Sequence, residues 1–275
     1  MRTPFVVLAL ALLTSSAAAV ELEELWIIEG FASPESIAVS EDGSTLYVSN
    51  VAGEAGDRDG EGFISRVSPE GEVLELRWVE GFNAPKGLDI SGDQLVVSDI
   101  DAVAVIDIAT ATIVERIEFP EAVFLNDVEV LSDGSVLVSD SGAARIYHVE
   151  DGAISTYTEG EWLAGVNGLL QEGDQLLIST MDTHSLFAFD PATGEHQVLA
   201  SDVGNGDGIA ILEGGAYLVS EWPGRLFHVS ADGTTTTILD TREAPYFIND
   251  FNLVGDTLFV PHWQPGAVSA YRVTQ

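Results

Sequence analysis

Six stretches of the chain repeat one pattern, and an internal repeat of this length constrains the fold more than any other feature. Each reads as a turn, a polar residue, an alternating strand, an acidic or glycine-rich hairpin, and a second strand that usually ends in serine and a polar residue. They are PESIAVSEDGSTLYVSN from Pro34, PKGLDISGDQLVVSD from Pro85, LNDVEVLSDGSVLVSD from Leu125, VNGLLQEGDQLLIST from Val166, GDGIAILEGGAYLVSE from Gly206 and INDFNLVGDTLFVPH from Ile248. A third strand follows each pair, from GFISRVS at Gly62 to AVSAYRV at Ala267, and a fourth, outer strand such as VLELRWV or TTTILD closes five of the units. Four-stranded antiparallel units repeated in this way are the blades of a β-propeller, because each sheet buries its faces only by stacking on its neighbours.

The two ends of the chain complement each other. The sixth unit runs out at Gln275 before a fourth strand, while an unassigned strand, ELWIIEG from Glu24, precedes the first unit. If the N-terminal strand completes the sixth blade, the ring closes by strand pairing and leaves no open edge at the seam. The sequence therefore predicts an all-β, six-bladed propeller of four-stranded blades over residues 20–275, as one domain. Residues 1–19 read as a secretory signal: Arg2, an apolar run from Phe5 to Leu13, then Ser15 to Ala19, with cleavage expected before Val20. That run is too short to span a bilayer, and the absence of cysteine removes both a lipid-anchored cysteine and a disulfide framework. A periplasmic or secreted monomer is expected.

Charge narrows the partners. Ten lysines and arginines stand against 45 acids, a formal net charge of −35, and such a field repels phosphate backbones and anionic lipid. Nucleic acid and membrane are excluded as expected partners, and a small molecule is left.

Alignment of the six inner strands puts one polar residue of each at the same point: Glu35, Lys86, Asn126, Asn167, Asp207 and Asn249. The next position is small or acidic (Ser36, Gly87, Asp127, Gly168, Gly208, Asp250), and the one after it is apolar in every unit (Ile37, Leu88, Val128, Leu169, Ile209, Phe251). Inner strands run beside the propeller axis, so their first residues should form a polar ring at one mouth of the channel. Two carboxylates and neutral amide oxygens, without cysteine or histidine, make a hard oxygen site suited to one divalent cation. Ca2+ fits best, Mg2+ or Mn2+ less tightly, and Zn2+ is possible but less natural. Lys86, the only lysine of the chain, reads in two ways: as a clamp for a substrate carboxylate or oxyanion, or as an ammonium that replaces the metal by pairing with Glu35 and Asp207, which would leave an inert plug. Loops between second and third strands should emerge at the ring end and frame the pocket with Asp99, Asp140, Glu221, Trp222, His262 and Trp263, while the long loop from Val51 to Glu61 reads as a mobile rim or lid. No Gly-x-Ser-x-Gly elbow, His-Glu-x-x-His or glycine-rich phosphate loop is present.

At Pro34-Glu35, Asn126-Asp127, Asn167-Gly168 and Asp207-Gly208 the sequence resembles the regucalcin and gluconolactonase family of six-bladed propellers, which are metal-dependent lactonases. The resemblance covers nearly all of residues 20–275. It implies that Glu35, Asn167 and Asp207 hold one divalent metal, that Asn126 touches substrate or a water on the metal, and that Asp207 is the general base. Lys86, Asn249, Trp222 and His262 are the expected substrate-binding residues. Where the family often carries an arginine just before the Asn-Asp pair, this chain has Phe124-Leu125, which turns the expectation away from a polyhydroxylated sugar. The expected function is a metal-dependent hydrolase of lactones or related small esters. A non-catalytic binding propeller plugged by Lys86 and a strictosidine synthase-like enzyme are the alternatives, since one fold hosts many functions.

Overall fold

The structure is a computed structural model that describes residues 20–244 and 246–275, so the expected signal segment lies outside the described residues. Among the described residues, alternating apolar residues between glycine- and aspartate-rich turns form 24 strands in six four-stranded antiparallel sheets. Blade 1 is β2 (Pro34–Val39), β3 (Leu46–Asn50), β4 (Gly62–Val67) and β5 (Val73–Phe82), and blade 2 is β6 (Pro85–Ser91), β7 (Gln94–Asp99), β8 (Ala102–Asp107) and β9 (Thr112–Glu118). Blade 3 is β10 (Leu125–Val130), β11 (Val136–Asp140), β12 (Arg145–Glu150) and β13 (Ala153–Glu159). Blade 4 is β14 (Val166–Glu172), β15 (Gln175–Thr180), β16 (Ser185–Asp190) and β17 (Glu195–Ser201), and blade 5 is β18 (Asn205–Ile211), β19 (Tyr217–Trp222), β20 (Arg225–Val229) and β21 (Thr235–Asp240).

Blade 6 contains β22 (Asn252–Val254), β23 (Thr257–His262) and β24 (Ala267–Thr274), and its outer strand is β1 (Glu21–Glu29) from the other end of the chain. β1 runs antiparallel to β24 from Glu21 opposite Thr274 to Glu29 opposite Ala267, as the missing fourth strand predicts. Trp26 fastens this strand to blade 1: its indole Nε1 donates to Pro69 O at 2.9 Å. Gly71 makes room for the ring, since a Cβ there would stand 2.8 Å from it.

Apolar side chains fill the wedges between blades. Tyr47, Ile64, Trp78, Leu95 and Ile106 form one such cluster, and Leu218, Leu226, Phe251, Leu258 and Tyr271 another. Each fully buried leucine or isoleucine contributes roughly 1.5–3 kcal/mol. No helix among the described residues is long and apolar enough to cross a membrane.

Near the axis, blades touch along their inner strands, where no ladder joins one sheet to the next. Carboxylates supply the missing bonds. Asp89 accepts the Val130 N–H, Asp127 that of Leu169 and Glu129 that of Gln171, each at 2.7 Å and each from the following blade. Burial pushes all three acids upward; Glu129, with Asp89 beside it, reaches about 8. A carboxyl whose folded pKa lies above its unfolded value stabilises the fold at low pH, and that contribution is lost as pH rises through the folded value. For Glu129 the window runs from its ordinary 4.5 to about 8. Glu129→Gln keeps an oxygen acceptor for the Gln171 N–H and removes the buried charge. It is expected to raise the melting temperature clearly at pH 8 and only slightly at pH 5; calorimetry showing an equal shift at both values would contradict this account.

Candidate active site

The ring side chains owe their position to a repeated break in strand pairing. In five blades the ladder between inner and second strand skips two residues: between Pro34 and Ile37, Pro85 and Leu88, Leu125 and Val128, Val166 and Leu169, and Gly206 and Ile209. The skipped residues include the ring position and the one after it, so each ring side chain sits on an irregularity, a device that re-aims side chains. The break leaves backbone N–H groups without a ladder partner, and a serine of the second strand takes them up. Ser49 Oγ accepts from Ser36 N at 2.9 Å, Ser139 Oγ from Asp127 N at 2.8 Å, Ser179 Oγ from Gly168 N at 3.0 Å and Ser220 Oγ from Gly208 N at 2.8 Å. Ser179 and the equivalent Ser98 of blade 2 reach the next blade: Ser98 Oγ donates to the carbonyl of Asn126, and Ser179 Oγ to that of Asp207.

The three glycines after the ring position follow from close approach. A Cβ on Gly168 would lie 2.1 Å from Asp207 O, one on Gly87 2.5 Å from Asp127 Oδ1, and one on Gly208 2.3 Å from Asp250 Oδ1. In blade 6 the serine position holds Pro261, which has no hydroxyl. There the inner strand departs from expectation: an isolated bridge joins Ile248 to His262, and regular pairing starts only at Asn252. Asp250 instead accepts the Ser36 hydroxyl of blade 1 at 2.5 Å, across the ring seam.

All six ring residues, Glu35, Lys86, Asn126, Asn167, Asp207 and Asn249, are buried, and together they line one cavity of about 310 Å³. Phe124, Met181, Trp222 and Trp263 give it an apolar wall, and Glu54 and Ala55 from the long loop form its edge. A depression of about 390 Å³ around Phe119 and Glu121 lies off the axis and gathers none of the ring. Trp222 therefore stands where the sequence places it. His262 does not line the cavity: its buried ring packs on Tyr246 with centroids 5.4 Å apart, Nε2 lies 2.7 Å from Ser269 Oγ, and burial lowers its pKa to about 4. It packs blade 6 instead, and its expected place beside substrate is corrected accordingly. Asp99 and Asp140 also serve another purpose than framing the pocket. Asp99 accepts from Asn83 N, Ala84 N and Arg116, and Asp140 from Val123 N and Phe124 N, so each pins the loop that enters the ring at Lys86 or Asn126. Glu221 is held by Arg225 at 2.7 and 2.8 Å.

The electrostatics of the cavity are unbalanced. Burial, then Asp207 and Asp250, raise the Glu35 carboxyl well above its ordinary value, against the pull of Lys86. Burial and Asp250 do the same to Asp207, with Asn167 opposing. Glu35 Oε2 and Asn167 Oδ1 are buried without a hydrogen-bond partner, which is costly for an oxygen out of water. Lys86 does not satisfy them: its Nζ donates to Ala84 O at 3.1 Å and lies 4.3 Å from the Phe124 ring centroid, and the ion pairs among the described residues include none from Lys86. The plug expected as an alternative, Lys86 paired to Glu35 and Asp207, is not formed.

This donor set fits a hard cation. Among the described residues no three His, Cys, Asp or Glu side chains gather for a metal; what converges here is two carboxylates with asparagine oxygens, the oxygen chemistry that calcium accepts. Glu54 and Ala55 belong to the long loop expected at the rim, whereas sequence reasoning passed over Met181, which no local motif marks.

No family model and no curated protein matches this chain. Solved structures match it across nearly their whole length. A gluconolactonase of Xanthomonas campestris is 17% identical, with a TM-score of 0.71 over 93% of this chain and 90% of that one. A luciferin-regenerating enzyme is 16% identical, with 0.67 over 94% and 96%. A catalytically inactive virginiamycin B lyase of Staphylococcus aureus, solved with quinupristin, is 14% identical, with 0.63 over 93% and 100%. The chain shares the six-bladed propeller fold of the gluconolactonase and the luciferin-regenerating enzyme.

Ser179 tests how the site is held. Ser179→Ala leaves the Gly168 N–H and the Asp207 carbonyl without their shared partner, and the expected cost is about 1–3 kcal/mol in urea unfolding. An unchanged midpoint would show that the hydroxyl carries neither bond.

Proposed function

We propose that this protein is a metal-dependent hydrolase of lactones or related small esters, with Glu35, Asn167 and Asp207 as ligands of one divalent cation, most favourably Ca2+. The observation that carries the reading is the pair of partnerless buried oxygens, Glu35 Oε2 and Asn167 Oδ1, in one cavity with Asp207. They are two of the three ligands that the sequence resemblance to gluconolactonases names. The shared fold with a gluconolactonase adds support.

A divalent cation held by Glu35, Asn167 and Asp207 would supply Lewis acidity toward the lactone carbonyl. Asp207, a buried carboxylate in the same cavity, is the residue that would accept the proton of the attacking water. Asn126 is anchored by its Nδ2 donating to Ser141 Oγ at 3.3 Å, which leaves its Oδ1 to orient substrate or water. Phe124, Met181, Trp222 and Trp263 exclude bulk water and hold the apolar part of the substrate.

Calorimetric titration with Ca2+, Mn2+ and Zn2+ tests the reading. Wild-type protein is expected to bind one Ca2+, with binding abolished in Asp207→Ala and weakened at least tenfold in Glu35→Gln. Hydrolysis of simple five- and six-membered lactones, followed by acid release, should disappear with a chelator and return with Ca2+. Absence of cation binding by the wild type would overturn the reading.

A further inference from the structure

The one ammonium in the cavity has no anion of its own. Lys86 is the only lysine of the chain and is 2% exposed. An ammonium carries three N–H donors, and a single one is used, toward Ala84 O. Its neighbours are otherwise committed: Asp99 is engaged by two loop N–H groups and Arg116, and Lys86 forms no ion pair with Glu35 or Asp207. On the reading above, the two ring carboxylates are engaged by a divalent cation, which leaves the two free Nζ donors of Lys86 without an anion in ion-pair reach. An unpaired buried charge is costly, and a monoanion placed there cancels it. Beside the ring residues and Glu54 at its edge, the wall is the apolar Phe124, Met181, Trp222 and Trp263, and a cavity of about 310 Å³ suits a small molecule.

We propose that Lys86 binds a carboxylate carried by the substrate, so that the substrate class of this site is a small lactone or ester bearing one carboxylate on an apolar, preferably aromatic, body. This rests on the metal-hydrolase reading for the engagement of the ring carboxylates. The two unused Nζ donors face the carboxylate, the Phe124 ring keeps the ammonium in place, and Trp222 and Trp263 cover the apolar body. Phe124 stands just before Leu125-Asn126, so the aromatic residue there favours such a body over a polyhydroxylated one.

The test compares benzoate with benzamide, which share a shape and differ in charge, by calorimetry in calcium-containing buffer. Benzoate is expected to bind wild-type protein about tenfold or more tightly than benzamide. Lys86→Met should abolish that preference and Lys86→Arg should keep part of it. Equal binding of the two probes, no binding of benzoate, or a preference that survives in Lys86→Met would each overturn the proposal, the last because the carboxylate would then be held by another group. Should Lys86→Met fail to fold, as judged by its melting curve, the wild-type comparison and Lys86→Gln decide on the same criteria. Calcium titration of the same sample keeps the two readings apart. Lost calcium binding with an intact Lys86-dependent preference removes the hydrolase and leaves the carboxylate site, while calcium binding and lactone turnover without the preference remove the carboxylate site alone.

Discussion

Each break that turns a ring side chain toward the axis leaves a backbone N–H without a ladder partner, and in four blades a second-strand serine hydroxyl takes it up. Because Ser98 and Ser179 also bond to the carbonyls of Asn126 and Asp207 in the next blade, the position of one ring residue depends on its neighbour's second strand. Carboxylates extend the same logic deeper into the channel, where Asp89, Asp127 and Glu129 each hold the following inner strand by one amide. β1 closes blade 6 against β24, and the Ser36 to Asp250 hydrogen bond joins blade 6 to blade 1. Such cross-links give the ring a rigidity that holds its acids and amide oxygens in one place, as free strands would not.

Function follows from the charge that this rigidity enforces. Burial and neighbouring acids raise both Glu35 and Asp207, and Lys86 stands nearby without pairing to either. Burial lowers Lys86 to about 8, which leaves it mostly protonated near neutral pH and still in need of an anion. On the proposed reading, the oxygens of the cavity take a hard cation, and the ammonium with the aromatic wall takes an anion. A substrate whose reacting carbonyl lies toward the oxygens and whose carboxylate lies toward Lys86 is oriented at both ends, which is how positioning contributes to rate.

The blade count, the closing strand and all six ring residues were legible in the sequence, because period, the apolar residue two places on, and a missing fourth strand are one-dimensional signals. The VSN, VSD, IST and VSE strand ends were visible too, but the role of the serine was not, since it depends on a break in pairing that only the fold reveals. Asp99 and Asp140 looked like pocket acids from their place at strand ends; their partners are loop amides 15 to 17 residues earlier, beyond any local pattern. His262 failed for a related reason: a strand-end position fixes the height of a side chain along the channel, not which face of the blade it takes. Blade 6 departed from the repeat where Pro261 removed the hydroxyl on which the other blades rely.

The most direct test of the central claim is anomalous diffraction from crystals of this protein soaked with Mn2+, a cation that oxygen sites of this kind accept. The account predicts a single strong peak at the channel mouth, bounded by Glu35 Oε2, Asn167 Oδ1 and an Asp207 oxygen, with Lys86 Nζ outside its coordination shell. A peak confined to surface acids, or Lys86 Nζ drawn between Glu35 and Asp207 with no peak on the axis, would contradict it.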